Sequence, residues 1–267
     1  MARPQGLLYF MKLGNMNFRQ RWKEGTDYLK WKWVYAKRIK QFKDIHKGED
    51  CFIIGNGPSL NKMDLSKLNG YHTFGLNKIF MIFEKVKFDL SYLVAVNDLV
   101  VEQCKPVYED FEVPIFLSHP AASKANIADK NHIHRLYDLN TWSFYEDISE
   151  PIHAGWTVTY VAMQIAYYMG FKRVFLIGVD HSFKQSIGKE NVVEVMEGDD
   201  ENHFHPDYFK GMKWNLADVY GSEVSYHLAN YHYIRNDRQI FNATVGGKLD
   251  VFPRVSFERA LQEAKRK

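Results

Sequence analysis

The sequence predicts an α/β fold of Rossmann type, a mostly parallel sheet flanked by helices, preceded by a basic, aromatic helical extension. Three observations carry this. Short apolar runs of strand length alternate along the chain with stretches that read as helix. Four of those runs close on a polar turn residue, Asn56, Asn77, Asn97 and Asp180, as strands do at their carboxyl ends. The first run breaks into Gly55-Asn-Gly-Pro-Ser59, a glycine-rich strand-to-helix turn.

Taken in order, residues 17–47 contain no proline and one glycine, Gly25, and read mostly as helix. Trp22, Tyr28, Trp31, Trp33, Tyr35, Ile39 and Phe42 are interleaved there with lysine and arginine. Residues 1–48 hold twelve Lys/Arg against three acids, a net +9, so the remainder carries −6 of the total +3. Such a segment suits an anionic bilayer surface, rings among headgroups and cations on lipid phosphate. Its alternative is a helix docked on the domain with its cations in water. No nucleic-acid-binding signature accompanies the charge, so nucleic acid is not expected as a partner.

Cys51 to Ile54 is a short buried strand, Tyr71 to Leu76 a second, Phe88 to Val96 a third and Val113 to Leu117 a fourth. Thr157 to Met169 reads as an apolar helix with Gly170 at its C-cap, and Arg173 to Asp180 as the strongest strand. Alternation of this kind implies parallel pairing with right-handed crossovers.

With 46% hydrophobic and 25% charged residues the chain is globular rather than disordered. Its 267 residues suit one domain, 48–267, with an appendage, 1–47. No run approaches the roughly 18 apolar residues of a membrane span, and the first residues lack a signal-peptide pattern. Two cysteines, Cys51 and Cys104, make neither a disulfide framework nor a metal cluster. A cytoplasmic compartment is expected, peripheral to the inner face of the cell membrane.

Ligands of open α/β sheets bind at the carboxyl edge, which makes the four turn residues candidates for a common site. In the turn after the first strand, Gly55 and Gly57 would let main chain approach a ligand, with free N–H groups and Ser59 facing phosphate. This is neither a Walker loop nor a GxGxxG fingerprint. His203 and His205, after the acidic run Glu197 to Glu201, offer a general base. No third histidine or cysteine completes a zinc spacing. His181, directly after Asp180, is a further candidate, and the Asn242-Ala-Thr244 glycosylation pattern is expected to be idle.

Ile53 to Leu60, Met169 to Asp180 and Ile240 to Gly247 resemble a superfamily that spans about residues 48–255 of this chain. It joins MptE-like 6-hydroxymethylpterin diphosphokinases, motility-associated-factor flagellin glycosyltransferases and bacterial CMP-sialic-acid-dependent sialyltransferases. The resemblance implies that Asn56, Asn77 and Asn97 contact a CMP-sugar. It implies a metal-independent displacement, with His203 or His205 as base. The sialyltransferase branch has tyrosines after the position of Asp180, where this chain has His181, Ser182 and Phe183. His181 or Tyr208 would then take the leaving phosphate. The expected function is transfer of a nucleotide-activated acid sugar to a glycan or glycolipid acceptor, with no cofactor, by a chain that assembles as a homo-oligomer. The rivals are an MptE-like diphosphokinase using Mg²⁺ and ATP, and a nucleotide-binding protein without chemistry.

Overall fold

Strand β1 (Asp50–Ile54) is buried along its whole length because it faces two cores at once. Cys51 and Ile53 enter one cluster of buried apolar side chains, and Phe52 and Ile54 enter the other. A continuous apolar run is what a strand covered on both faces requires. The structure, a computed structural model, describes residues 25–139, 141–184 and 190–267.

Parallel neighbours follow as β2 (His72–Leu76), β3 (Tyr92–Ala95), β4 (Ile115–Ser118) and β5 (Ile133–Leu136). The chain then returns to the other side of β1 as β6 (Arg173–Ile177). A separate antiparallel hairpin, β7 (Val193–Val195) and β8 (Lys213–Asn215), precedes β9 (Gln239–Asn242), which pairs with β6. The seven-stranded order is β5-β4-β3-β2-β1-β6-β9, every pair parallel, with the switch point between β1 and β6. This is the Rossmann-like sheet that the alternating runs predict.

Strand β3 starts later than expected, since Asp89 bonds to Asn69 and Thr73 side chains instead of a ladder. Strand β5 escaped notice because His134 and Arg135 break its apolar run. It is an edge strand, and the buried Arg135 donates through Nη2 to the Ile127 carbonyl with its guanidinium over the Tyr35 ring.

Residues 25–42 form helix α1, interrupted by a π turn at Trp31–Tyr35. Tyr28, Trp31, Tyr35, Ile39 and Phe42 recur at helical spacing and are all buried, and the Trp31 indole donates to the Arg135 carbonyl at 2.6 Å. The docked helix is therefore what the described residues show. Trp33 stays 65% exposed with Lys37 above its ring, while Trp22 lies outside the described residues.

Short helices α2 (Asp98–Gln103), α3 (Lys105–Asp110) and α4 (His119–Lys124) connect the strands on the β3–β5 side. Helix α5 (Val158–Tyr168) is buried on nearly all sides, between the sheet and α6 (Val219–Arg235), and α7 (Phe257–Glu263) closes the opposite layer. Gly170 takes φ +93° past the end of α5, as its C-cap reading anticipates. Asn242 is fully buried and donates to the Leu249 carbonyl, so its glycosylation pattern is indeed a structural one.

Candidate active site

A cavity of about 580 Å³ opens at the carboxyl edge of the sheet, over the switch point. The turns after β1 and β6 form its floor. Gly55 N–H donates to the Ile177 carbonyl and Gly57 N–H to the Gly178 carbonyl, both at 2.8 Å. A Cβ on Gly55 would sit 2.3 Å from the Gly178 oxygen, and one on Gly57 1.8 Å from the Asp180 carboxylate. These glycines line the cavity, but their absent side chains serve turn-against-turn packing and their N–H groups are spent. That corrects the expectation of free N–H donors.

Ser59 is corrected in the same way. It is buried outside the cavity lining, and its hydroxyl donates to Asp180 Oδ2 at 2.6 Å. Nor does a long helix begin there: Pro58–Lys62 is a 3₁₀ turn, which supplies little aligned dipole. Asp180 lines the cavity, and burial raises its carboxyl above the usual range despite the Ser59 bond.

The asparagines divide. Asn56 and Asn77 both line the cavity, and each has a buried Oδ1 with no hydrogen-bond partner in the protein. Leaving a buried amide acceptor unmatched costs ~1–3 kcal/mol, and at the cavity wall such an atom is a candidate acceptor for a ligand. Asn77 holds φ +48°, the left-handed conformation that asparagine tolerates. Asn97 lines the cavity too, but Oδ1 caps α2 through Leu99 and Val100 N–H, and Nδ2 donates to Asn215. Its amide is thereby structural.

The two histidines also separate. His203 lines the cavity, with Nδ1 2.8 Å from the buried Asp200 Oδ2 and its ring stacked at 4.1 Å on Tyr208. His205 does not reach the cavity: Nδ1 accepts from Asp207 N–H and Nε2 lies 3.6 Å from Glu84. Tyr208 is fully buried behind His203, its hydroxyl accepting from Lys78 N–H, so it cannot touch a leaving phosphate. His181 lines the cavity at φ +51°, with Nε2 3.4 Å from Glu223.

Sequence reasoning missed one residue and one role, having weighed Asp200 only as a metal ligand beside the two histidines. Asp200 lies three residues before His203 and orients it, a spacing that could have been read. Trp156 forms a wall of the cavity, its ring centroid 4.0 Å from that of Trp142 and tilted 37° to it, and holds φ +59°. Only Gly155 before it hinted at such a turn.

The family described as 6-hydroxymethylpterin diphosphokinase MptE-like matches residues 30–186, well over half of the chain. The chain belongs to the MptE-like family. Its match starts inside α1, in keeping with a helix that is part of the packed domain. Among solved structures, the chain is similar to a Maf glycosyltransferase from Magnetospirillum magneticum AMB-1. The TM-score is 0.53 at 14% identity, covering 87% of this chain and 39% of that one. That likeness establishes a shared fold over well under half of the neighbour's length. No curated protein matches the chain.

A diphosphokinase needs Mg²⁺ against its phosphates, held by carboxylates. The cavity carboxylates do not gather for one. Asp98 pairs with Lys124, Asp180 accepts from Ser59, and Asp218 caps α6 and accepts from Asn191. No helix among the described residues is long and apolar enough to cross a membrane.

Proposed function

We propose that this MptE-like chain is a glycosyltransferase, taking a nucleotide-activated sugar, of CMP-acid-sugar type, to a glycan or glycolipid acceptor in cell-surface polysaccharide or glycolipid synthesis. The observation that carries the reading is the Asp200–His203 pair on the cavity wall. Asp200 occupies Nδ1, which leaves Nε2 available to accept a proton from an acceptor hydroxyl. The acceptor oxygen then bonds the anomeric carbon as the bond from that carbon to phosphate oxygen breaks. The nucleotide departs as its phosphate monoester. Asp200 stabilises the imidazolium that forms, and the Asn56 and Asn77 amide oxygens accept from the nucleotide and sugar. No step is routed through a metal.

The outer face of α1 suits the same chemistry. Leu29, Trp33 and Val34 are exposed beside Lys30, Lys37 and Lys40, a surface for an anionic membrane carrying a lipid-linked acceptor. Deleting α1 would strip Trp31 from the core. Reversing those three lysines to glutamate instead tests vesicle binding, each cation contributing ~1 kcal/mol.

The second reading, phosphoryl transfer with Mg²⁺ and ATP, is favoured by the family description alone. A thermal-shift screen of CMP, UDP, GDP and ATP with and without Mg²⁺ separates the two, since the true ligand raises apparent stability by mass action. Stabilisation by CMP in excess EDTA supports sugar transfer. Stabilisation by ATP only with Mg²⁺ replaces it with the diphosphokinase.

A further inference from the structure

The opposite edge of the sheet carries a second cluster of ligating side chains, remote from the cavity. His46 lies between α1 and β1, Glu49 directly precedes β1, and His72 opens β2. Glu49 Oε2 stands 2.7 Å from His46 Nδ1 and 2.9 Å from His72 Nε2, and the three ligand atoms lie within 4.8 Å of one another. We propose that His46, Glu49 and His72 form a structural binding site for a divalent transition metal, Zn²⁺ being the ion that two imidazoles and one carboxylate suit best.

The surroundings are those of a metal site. His46 Nε2 is 2.6 Å from the Tyr92 hydroxyl, so the nitrogen not facing the cluster is already held. With Nε2–H donating to the Tyr92 oxygen, Nδ1 turns its lone pair toward the ion, and the hydroxyl serves as the outer partner of a ligating imidazole. His46 stacks on Phe171 at 4.6 Å and 21°, and Phe171 also meets His72 edge-on at 5.4 Å, so both rings are fixed before any ion arrives. The histidine side chains are 14% and 12% exposed, whereas Glu49 is 44% exposed, which provides an entry path and room for water as a fourth ligand. Two nitrogens and an oxygen within 4.8 Å of one another are a donor set that zinc accepts, and neutral imidazole favours Zn²⁺ over Mg²⁺ or Ca²⁺.

The physical consequence is a tie between three segments. The link from α1 to β1 bonds the turn after α5, through Asp44 and His46 N–H to the Tyr168 and Met169 carbonyls. An ion at this cluster would clamp that link to the first residue of β2, at the edge away from the reaction.

The test uses the full chain, freed of metal by chelator and titrated with ZnCl₂ by calorimetry, with metal content measured after gel filtration. The expected result is one equivalent of Zn²⁺, a raised melting temperature, and a tetrahedral visible spectrum when Co²⁺ replaces zinc. Glu49→Gln and His72→Ala should abolish stoichiometric uptake, while the exposed His227→Ala keeps it. Tyr92→Phe should keep the site but weaken it by roughly 10–100-fold, the usual effect of removing an outer partner. Should Glu49→Gln or His72→Ala fail to fold, Tyr92→Phe still decides the matter. Substoichiometric zinc in the wild type, or uptake equal to wild type in Glu49→Gln, His72→Ala and Tyr92→Phe, overturns the proposal. In that case the three side chains are a hydrogen-bonded cluster alone.

Discussion

The turns after β1 and β6 and the excursion between β6 and α6 face each other across one cavity, yet they are built on opposite terms. In the turns nearly every polar group is consumed within the protein. Gly55 and Gly57 donate to the neighbouring turn, and Ser59 is spent on Asp180. The excursion spends its polar groups differently. Asp200 and Tyr208 are buried in order to hold one ring, that of His203, at the wall. The glycine-rich turn, the most conspicuous motif in the chain, is thus architecture in its glycines and Ser59, with Asn56 alone left unmatched among them. Chemistry is to be sought where a polar atom lacks a partner or a titratable ring is oriented by a buried one.

The sharpest way to break this contrast lies in the excursion. His203→Ala is expected to lower turnover by roughly 10²–10⁴-fold, the scale of general-base loss. Asp200→Asn should lower it less and shift the pH profile, since the positioning carboxylate is lost while the ring stays. His205→Ala should change turnover by less than about threefold, because no transition-state contact goes with it. Measured on the active donor, equal losses at His203 and His205 would return the site to the expectation that sequence alone permits.

Next in size is the architecture itself. A Cβ on Gly55 meets main chain, not a side chain that can move aside. Gly55→Ala should cost about 3 kcal/mol or more in urea unfolding. Near-wild-type stability in that variant would mean the turns are not packed against one another as described.

A third prediction concerns pH. Burial, with Arg38 and His132 nearby, pushes the His134 imidazole down from 6.5 to about 4. The unfolded chain therefore binds the proton first, and the stability this group contributes is present above pH 6.5. It is lost as pH falls toward 4, by up to about 3 kcal/mol. His134 stacks edge-on with Phe42 at 4.6 Å, so His134→Phe keeps an aromatic there. That variant should flatten the fall in unfolding free energy between pH 6.5 and 4.

The smallest effect is expected at Asn56. Asn56→Ala should weaken nucleotide binding roughly tenfold, the value of one hydrogen bond, while leaving the ligand-free protein as stable as before or more so. The second half distinguishes a ligand contact from a fold contact, because a structural asparagine cannot be removed without loss. Asn97→Ala provides the counterpart: losing the α2 cap should cost ~1 kcal/mol in stability.

Much of the fold was legible. β1, β2 and β6 fall where apolar runs of strand length end in Asn, Asp or glycine-rich turns, and β4 where such a run ends at Ser118-His119-Pro120, because a strand covered on both faces must be apolar throughout. Helix α5 and its Gly170 cap were legible for the same kind of reason. The periodic stripe Tyr28, Trp31, Tyr35, Ile39 and Phe42 was also present in the residues. The basic charge between its members drew attention to a membrane, although spacing of three and four already described a buried seam. Strand β5 was hidden by His134 and Arg135, which the finished fold buries against the Phe42 and Tyr35 rings of α1.

At the site, sequence alone determined which residue types reach the carboxyl edge, since strand ends and their turns are local. It determined Asn56, Asn77, Asp180, His181 and the pair His203 and His205 as candidates, together with the switch-point position of the glycine-rich turn. Only the tertiary structure decided their roles. Whether an amide caps a helix, as Asn97 does, or stays unmatched, as Asn56 and Asn77 do, depends on neighbours far away in sequence. His203 and His205 are two residues apart and chemically identical. One has Asp200 and Tyr208 behind it and the cavity in front, the other Asp207 N–H and Glu84. Local sequence sets which group is available, but hydrogen-bond satisfaction is a property of the packed whole.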